Sequence, residues 1–142
     1  MRVALCQLPV SPDPAINLSR VREALGTAAS QGADLAVFPE ATQARFGTDL
    51  AAVAEPLDGP FGAGLADAAR GTGTALVAGV FEPAPDGRVY NTAVAYAASG
   101  QRMAARGDPA VQRRCAERRM EPRAGHVERH DDANRAAGAA DP

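Results

Sequence analysis

A carboxylate stands directly after a run of apolar residues in the first third of the chain. Residues 33–42 read ADLAVFPEAT, in which the apolar run predicts a buried strand, Pro39 ends it and Glu40 follows. Proline lacks an N–H and fixes its own φ, so it ends a strand ladder and helps to hold the acid at the sheet edge. Sites in open α/β sheets cluster at the carboxyl ends of strands. A carboxylate held there and partly removed from water could act as a general base, although from the spacing alone the better interpretation of Glu40 is an acid that leaves the core into a loop.

Two further residue types limit the chemistry that these residues can perform. All fifteen basic residues are arginines, so no lysine ammonium is present among the 142 residues. Of the two cysteines, Cys6 lies in the apolar stretch RVALCQL, where a packed core residue is the better interpretation. Cys115 lies among charged residues. Two cysteines in such different contexts do not make a disulfide framework.

Alternating apolar strands and amphipathic helices must position these side chains. The pattern predicts the order β-α-β-α-β-β, which is typical of an α/β fold. The predicted strands cover residues 2–8, 34–38, 74–81 and 88–98, and the predicted helices run from Pro14 to about Ser30 and over 60–70, with a short helix possible around Leu50 to Ala54. Pro14 fits the first turn of a helix capped by Asp13 or Ser11. The apolar residues of this helix recur roughly at helical spacing and are expected to face inward: Ile16, Leu18, Val21, Ala24, Leu25 and Ala28.

The composition changes after residue 101. Residues 102–142 contain only Val111 and Val127 from the set Val, Ile, Leu, Phe, Tyr and Trp. Such a segment cannot bury enough apolar surface to offset its ordering entropy, so we predict a disordered, Arg-rich tail at 102–142 after a folded part at 1–101. His126 and His130 in this segment have the spacing of metal ligands on a helix, but a solvated tail is the better interpretation.

Charge and hydropathy exclude several classes of protein. The net charge of −2 argues against a nucleic-acid-binding protein that relies on positive charge. No apolar stretch approaches the length of a membrane span, and the amino terminus lacks the pattern of a signal peptide. The expectation is a soluble cytoplasmic protein that acts without a membrane or a nucleic acid.

Five segments together resemble the nitrilase superfamily of carbon-nitrogen hydrolases. They are RVALCQLPV, NLSRV, GADLAVFPE, VAGVFE and RVYNTAVAY, in the order and spacing of that family, over residues 1 to about 101. The resemblance implies the amino-terminal part of an αββα sandwich, a Glu-Lys-Cys triad, no cofactor and no metal. It implies amide, nitrile, ureido or acyl substrates, and an oligomer is compatible with it. Glu40 falls on the general base, which would deprotonate a cysteine thiol and later activate water.

The match to the family breaks after residue 101. Family members continue with an aromatic-Arg-Lys segment and then a strand that ends in the nucleophilic cysteine, whereas this chain has no lysine. Cys115 follows DPAVQRR, which is not a strand pattern, so it reads as an incidental cysteine of the tail. We therefore expect a truncated or frameshifted hydrolase, inactive alone, that retains only Glu40 of the triad. The alternative is a non-catalytic α/β interaction module whose disordered Arg-rich tail binds a partner.

Asn91 is the remaining polar residue of interest in a predicted strand. It shares a face with Val89 and Ala93 in the predicted fourth strand. Its amide either forms a hydrogen bond near Glu40 or is a polar group satisfied at the edge of the strand, and the two interpretations are equally compatible with the pattern.

Overall fold

A computed structural model describes residues 1–106, in which a five-stranded sheet carries its two long helices on one face. For residues 104–106 it describes the backbone alone. The strands are β1 (Val3–Leu5), β2 (Leu35–Val37), β3 (Ala75–Pro83), β4 (Val89–Tyr96) and β5 (Arg102–Arg106). The helices are α1 (Pro14–Ser30), α2 (Leu50–Val53) and α3 (Pro60–Thr72). Cys115, His126 and His130 lie outside the described residues.

The strands follow one another across the sheet in chain order. β1, β2 and β3 are parallel, and β3, β4 and β5 form antiparallel pairs. Helices connect the parallel strands, because a parallel pair needs a long crossover, whereas tight turns suffice for the antiparallel pairs. The predicted α/β class is confirmed.

β5 is a strand that the sequence pattern did not predict. It occupies the first five residues of the predicted tail and pairs with β4 from Thr92↔Arg106 to Tyr96↔Arg102. The turn before it is closed by a bond from Gly100 N to Ala97 O of 2.8 Å, with Gly100 at φ 81°. This turn returns the chain alongside β4, so pairing and not intrinsic propensity makes RMAAR a strand.

Helix α1 begins where the sequence predicts and buries Val21, Leu25 and Ala28 as predicted, but its first turn presents a different residue to the core. The Asp13 carboxylate caps it by accepting a bond from Ala15 N at 2.8 Å. Ile16, expected on the apolar face, is 46% exposed, whereas Asn17 beside it is 2% exposed. The amide of Asn17 is bonded to the backbone of Ser11, and this bonding turns the polar residue inward. The predicted inward position of Ile16 is therefore wrong.

The apolar core lies between the helices and one face of the sheet. α1 packs against α3, and both contribute to a continuous cluster with the three central strands. Its largest fully buried members are Val21, Leu25, Leu65, Leu76 and Val94. No helix in residues 1–106 is long and apolar enough to cross a membrane.

The opposite face of the sheet, which we call the open face, carries no helix layer in the described residues. Only the segment from Ala41 to Ala54 crosses one end of it, where it packs on the fully buried Phe81. Apart from Gly79 and Asn91, the remaining side chains that the structure describes on this face are apolar and partly or largely exposed. They are Val3, Leu5, Leu35, Val37, Ala75, Val77, Ala93, Ala95 and Met103.

Candidate active site

Glu40 lies in a turn that folds from the end of β2 onto the open face. Just before this turn, Phe38 N donates to Val77 O at 2.8 Å. Gly79 of β3 then holds both ends of the turn, since its N–H donates to Pro39 O and its carbonyl accepts from Gln43 N, each at 3.2 Å. Glu40 is thus placed over β3 and not merely at the tip of β2.

The absence of a side chain at Gly79 makes this placement possible. A Cβ added there would overlap the backbone carbonyl group of Glu40. Neighbouring core positions on β3, Ala78 and Val80, point to the other face, so the open-face side of Gly79 is filled by the turn itself. An isolated glycine within a strand pattern is a sequence signal for such a close backbone approach, and VAGVF contains one.

Asn91 binds the carboxylate of Glu40. Its Nδ2 donates to Glu40 Oε1 at 2.5 Å. Antiparallel pairing places Asn91 opposite Phe81 and Ala93 opposite Gly79, so Asn91 reaches the open face one strand away from the turn. Of the two interpretations of Asn91, the structure supports a hydrogen bond to Glu40.

Glu40 is exposed to solvent within residues 1–106. The strand end predicts a carboxylate partly removed from water, and the described residues do not provide that environment. The described residues fix the position of Glu40 and supply a hydrogen-bond donor to its carboxylate. The Asn91 amide contacts Oε1 and not Oε2 of this carboxylate.

Cys6 lies on the opposite side of the sheet from Glu40. Its backbone N–H continues the pairing with β2 by donating to Val37 O at 2.8 Å, and its side chain packs against the helix-side core together with Ala4 and Leu8. Burial raises the pKa of the Cys6 thiol, and a thiol held in its neutral form is a weak nucleophile. The structure therefore does not bring Cys6 and Glu40 together.

The other candidate residues do not extend the site within the described residues. Cys115, His126 and His130 lie beyond them, and no lysine occurs in the sequence. Residues 1–106 contain no group of three or more His, Cys, Asp or Glu side chains close enough to hold a metal ion. Glu40, Asn91 and Gly79 are the residues that the structure assembles.

Comparison with known proteins agrees with this geometry. The family model described as carbon-nitrogen hydrolase matches residues 2–127, which extends beyond the predicted boundary at residue 101. Hydrolase Rv0480c and Hydrolase MT0498, from two strains of Mycobacterium tuberculosis, are each 50% identical over 95 residues, which cover 67% of this chain. The chain spans about a third of the length of these relatives, since the match covers 34% of each.

Solved structures share the same arrangement of strands and helices. An amidase from Nesterenkonia sp. superposes with a TM-score of 0.64 at 29% identity, covering 77% of this chain and 45% of the amidase. The NitFhit protein of Caenorhabditis elegans gives a TM-score of 0.66 at 16% identity, covering 73% of this chain and 27% of that protein, which supports the fold alone. The predicted resemblance is confirmed. Because the family model covers most of the sequence, the chain belongs to the carbon-nitrogen hydrolase family.

Proposed function

We propose that Glu40 is the general base of a carbon-nitrogen hydrolase that acts on small amides or nitriles. The observation that carries this proposal is the turn over Gly79, which presents the Glu40 carboxylate to Asn91 on the open face. A backbone held at both ends and a donor fixed on a neighbouring strand orient a carboxylate, as a proton-transfer group requires. Family membership and this geometry favour a hydrolase over the interaction module.

In the proposed reaction, Glu40 removes the proton of a cysteine thiol, and the thiolate attacks the carbonyl carbon of the amide. The amine leaves with the proton that Glu40 holds, which produces a thioester. Glu40 then takes a proton from water, whose oxygen attacks the thioester and releases the acid and the thiol. Asn91 keeps Oε1 in place throughout, so that Oε2 carries the proton in each step.

The triad partners of Glu40 are not among the described residues. A lysine that would stabilise the oxyanion is absent from the sequence, and arginine is a poor substitute because its guanidinium does not donate a proton readily. The Cys6 side chain packs on the helix side of the sheet. We therefore propose that these 142 residues supply the base of the site and do not turn over amides alone.

A chimera with the Nesterenkonia amidase tests the role of Glu40. Residues 1–106 of this chain replace the matching amino-terminal part of the amidase, and aliphatic amides serve as substrates. We expect the chimera to hydrolyse amides, and Glu40→Gln to lower its kcat/KM by about 10²–10⁴-fold, because the substitution removes the base and keeps the size of the side chain.

Glu23→Gln is the matched control, because Glu23 is an exposed residue of α1, on the helix side of the sheet. It should leave kcat/KM unchanged. A folded, active chimera that tolerates Glu40→Gln would refute the general-base role. Turnover by the unmodified 142-residue chain that Glu40→Gln abolishes would refute the proposal that the chain is inactive alone.

A further inference from the structure

Gln43 is a buried polar side chain three residues beyond Glu40. It is 1% exposed and lies among the buried residues Thr42 and Ala44. A buried amide costs free energy unless its polar atoms have partners, so its bonds indicate what it contributes.

Both polar atoms of the Gln43 side chain bind the backbone of other elements. Oε1 accepts a bond from Phe81 N of β3 at 2.7 Å. Nε2 donates to Val53 O of α2 at 2.8 Å. One side chain therefore joins the turn to a central strand on one side and to the short helix α2 on the other.

The backbone of Gln43 is bonded at both of its polar atoms as well. Its N–H donates to Gly79 O, and its carbonyl accepts from Asn17 Nδ2 of α1 at 2.9 Å. Asn17 is itself 2% exposed and exchanges two bonds of 2.8 Å with the backbone of Ser11. Gln43 is thus bonded to β3, α2 and α1 at the far end of the turn that carries Glu40.

We infer that Gln43 is a positioning residue for Glu40. The near end of the turn is fixed by the end of β2 and by the bond between Gly79 and Pro39, whereas the far end is fixed through Gln43. With both ends fixed, the Glu40 carboxylate stays within reach of Asn91. A glutamine that only fills the core and satisfies neighbouring groups would affect stability and leave the Glu40–Asn91 bond intact. The catalytic value of this positioning rests on the proposed function, but the positioning itself does not.

The side-chain amide of Asn91 reports on the position of Glu40 without any assay of activity. In the ¹⁵N-labelled 142-residue chain, its resonances are assigned by their loss in Asn91→Asp. Glu40→Ala gives their positions when the bond is absent. Gln43→Met keeps the length of the side chain and removes both of its hydrogen bonds. We expect this variant to shift the Asn91 amide resonances most of the way to their Glu40→Ala positions.

Gln31→Met makes the same chemical change at an exposed residue at the end of α1 and should leave the Asn91 resonances in place. A folded Gln43→Met chain whose Asn91 resonances stay at their wild-type positions would overturn the inference. If Gln43→Met does not fold, Gln43→Asn keeps a neutral amide but is one methylene too short to reach both Phe81 N and Val53 O. This variant should cause a smaller shift in the same direction, and unchanged resonances would overturn the inference equally. Shifted resonances together with an active chimera that tolerates Glu40→Gln would retain the positioning role and reject the general base.

Discussion

At the scale of single residues, the site depends on Gly79 and Asn91 as much as on the acid. Gly79 leaves room for the backbone of Glu40, and Asn91 binds one oxygen of its carboxylate. Neither residue can perform proton transfer. Their contribution is geometric, which explains why a search for titratable side chains finds Glu40 and passes over the glycine beneath it.

Gly79→Ala should therefore destabilise the fold and disturb the site. The added methyl group would overlap the Glu40 carbonyl group, and the turn would have to move away from β3. We expect the free energy of unfolding to fall by about 1–3 kcal/mol, as for other overpacked positions. Urea denaturation monitored by circular dichroism measures this change.

Gly71→Ala provides the matched control for this substitution. Gly71 lies near the end of α3, and no heavy atom lies within 4 Å of a Cβ built there. Since alanine is the better helix former, we expect Gly71→Ala to raise the free energy of unfolding by about 0.5–1 kcal/mol. Equal effects of the two substitutions would contradict the steric argument.

At the scale of elements, the sequence predicts long segments well and contacts between distant segments poorly. The bounds of four elements lie within two residues of the prediction, because their periodic apolar patterns are long; these elements are α1, α3, β3 and β4. β1 spans only Val3–Leu5, whereas the predicted strand covers residues 2–8. The apolar pattern of the sequence continues beyond the residues that pair with β2, so it predicts too long a strand. β5 was missed because its pairing with β4 outweighs its weak strand pattern.

In the candidate site, too, the sequence predicts what is adjacent along the chain and does not predict contacts between distant segments. Glu40 could be identified from its motif, because strand, proline and acid are adjacent in sequence. Its position over Gly79 could not, because the two residues are brought together by the pairing of β2 with β3 and by the turn bonds. The inward face of Asn17 was missed for a related reason, since a loop carbonyl and a turn carbonyl select it over Ile16.

The packing of Cys6 against the helix-side core predicts how the reactivity of its thiol depends on pH. Because burial raises the pKa of its thiol, the folded state favours the neutral form, and alkylation should need a higher pH than in the unfolded chain. The rate of reaction with iodoacetamide, measured against pH in a Cys115→Ser variant, should have a higher midpoint without urea than in urea. Coincident midpoints would show that the Cys6 thiol is fully solvated in the folded state and would contradict this prediction.

Since the unfolded thiol ionises first, the contribution of Cys6 to the free energy of unfolding should decline as the pH rises above the pKa of the unfolded thiol.

At the scale of the whole molecule, the open face is the main apolar surface of the described residues. One row of side chains crosses all five strands in register, formed by Leu5, Val37, Val77, Ala95 and Met103. The two ends of this row, Leu5 and Met103, are 80% and 68% exposed. A continuous apolar surface of this kind favours association with other apolar surfaces or with dyes.

We therefore expect the chain to bind 1-anilinonaphthalene-8-sulfonate and to self-associate. The double variant Leu5→Gln/Met103→Gln should reduce both dye fluorescence and the sedimentation coefficient. It should change the free energy of unfolding by no more than about 0.5 kcal/mol, because both side chains are largely exposed. Ile16→Gln is the control, since Ile16 is an exposed apolar residue of α1 away from the open face. An equal effect of the control would show that general surface hydrophobicity, and not this row, causes the association.

The β3–β4 hairpin has a consequence for the site. Its loop is closed by a bond from Ala84 N to Arg88 O of 2.8 Å and by the ion pair of Arg88 with Asp86, which also lowers the pKa of the Asp86 carboxyl. Glu40 is anchored to β3, and its donor Asn91 is carried by β4. A slip of one residue between these strands would send the Asn91 amide to the helix side while the acid stayed behind. The small polar loop at residues 84–88 therefore fixes the strand register that keeps the Asn91 amide next to the Glu40 carboxylate.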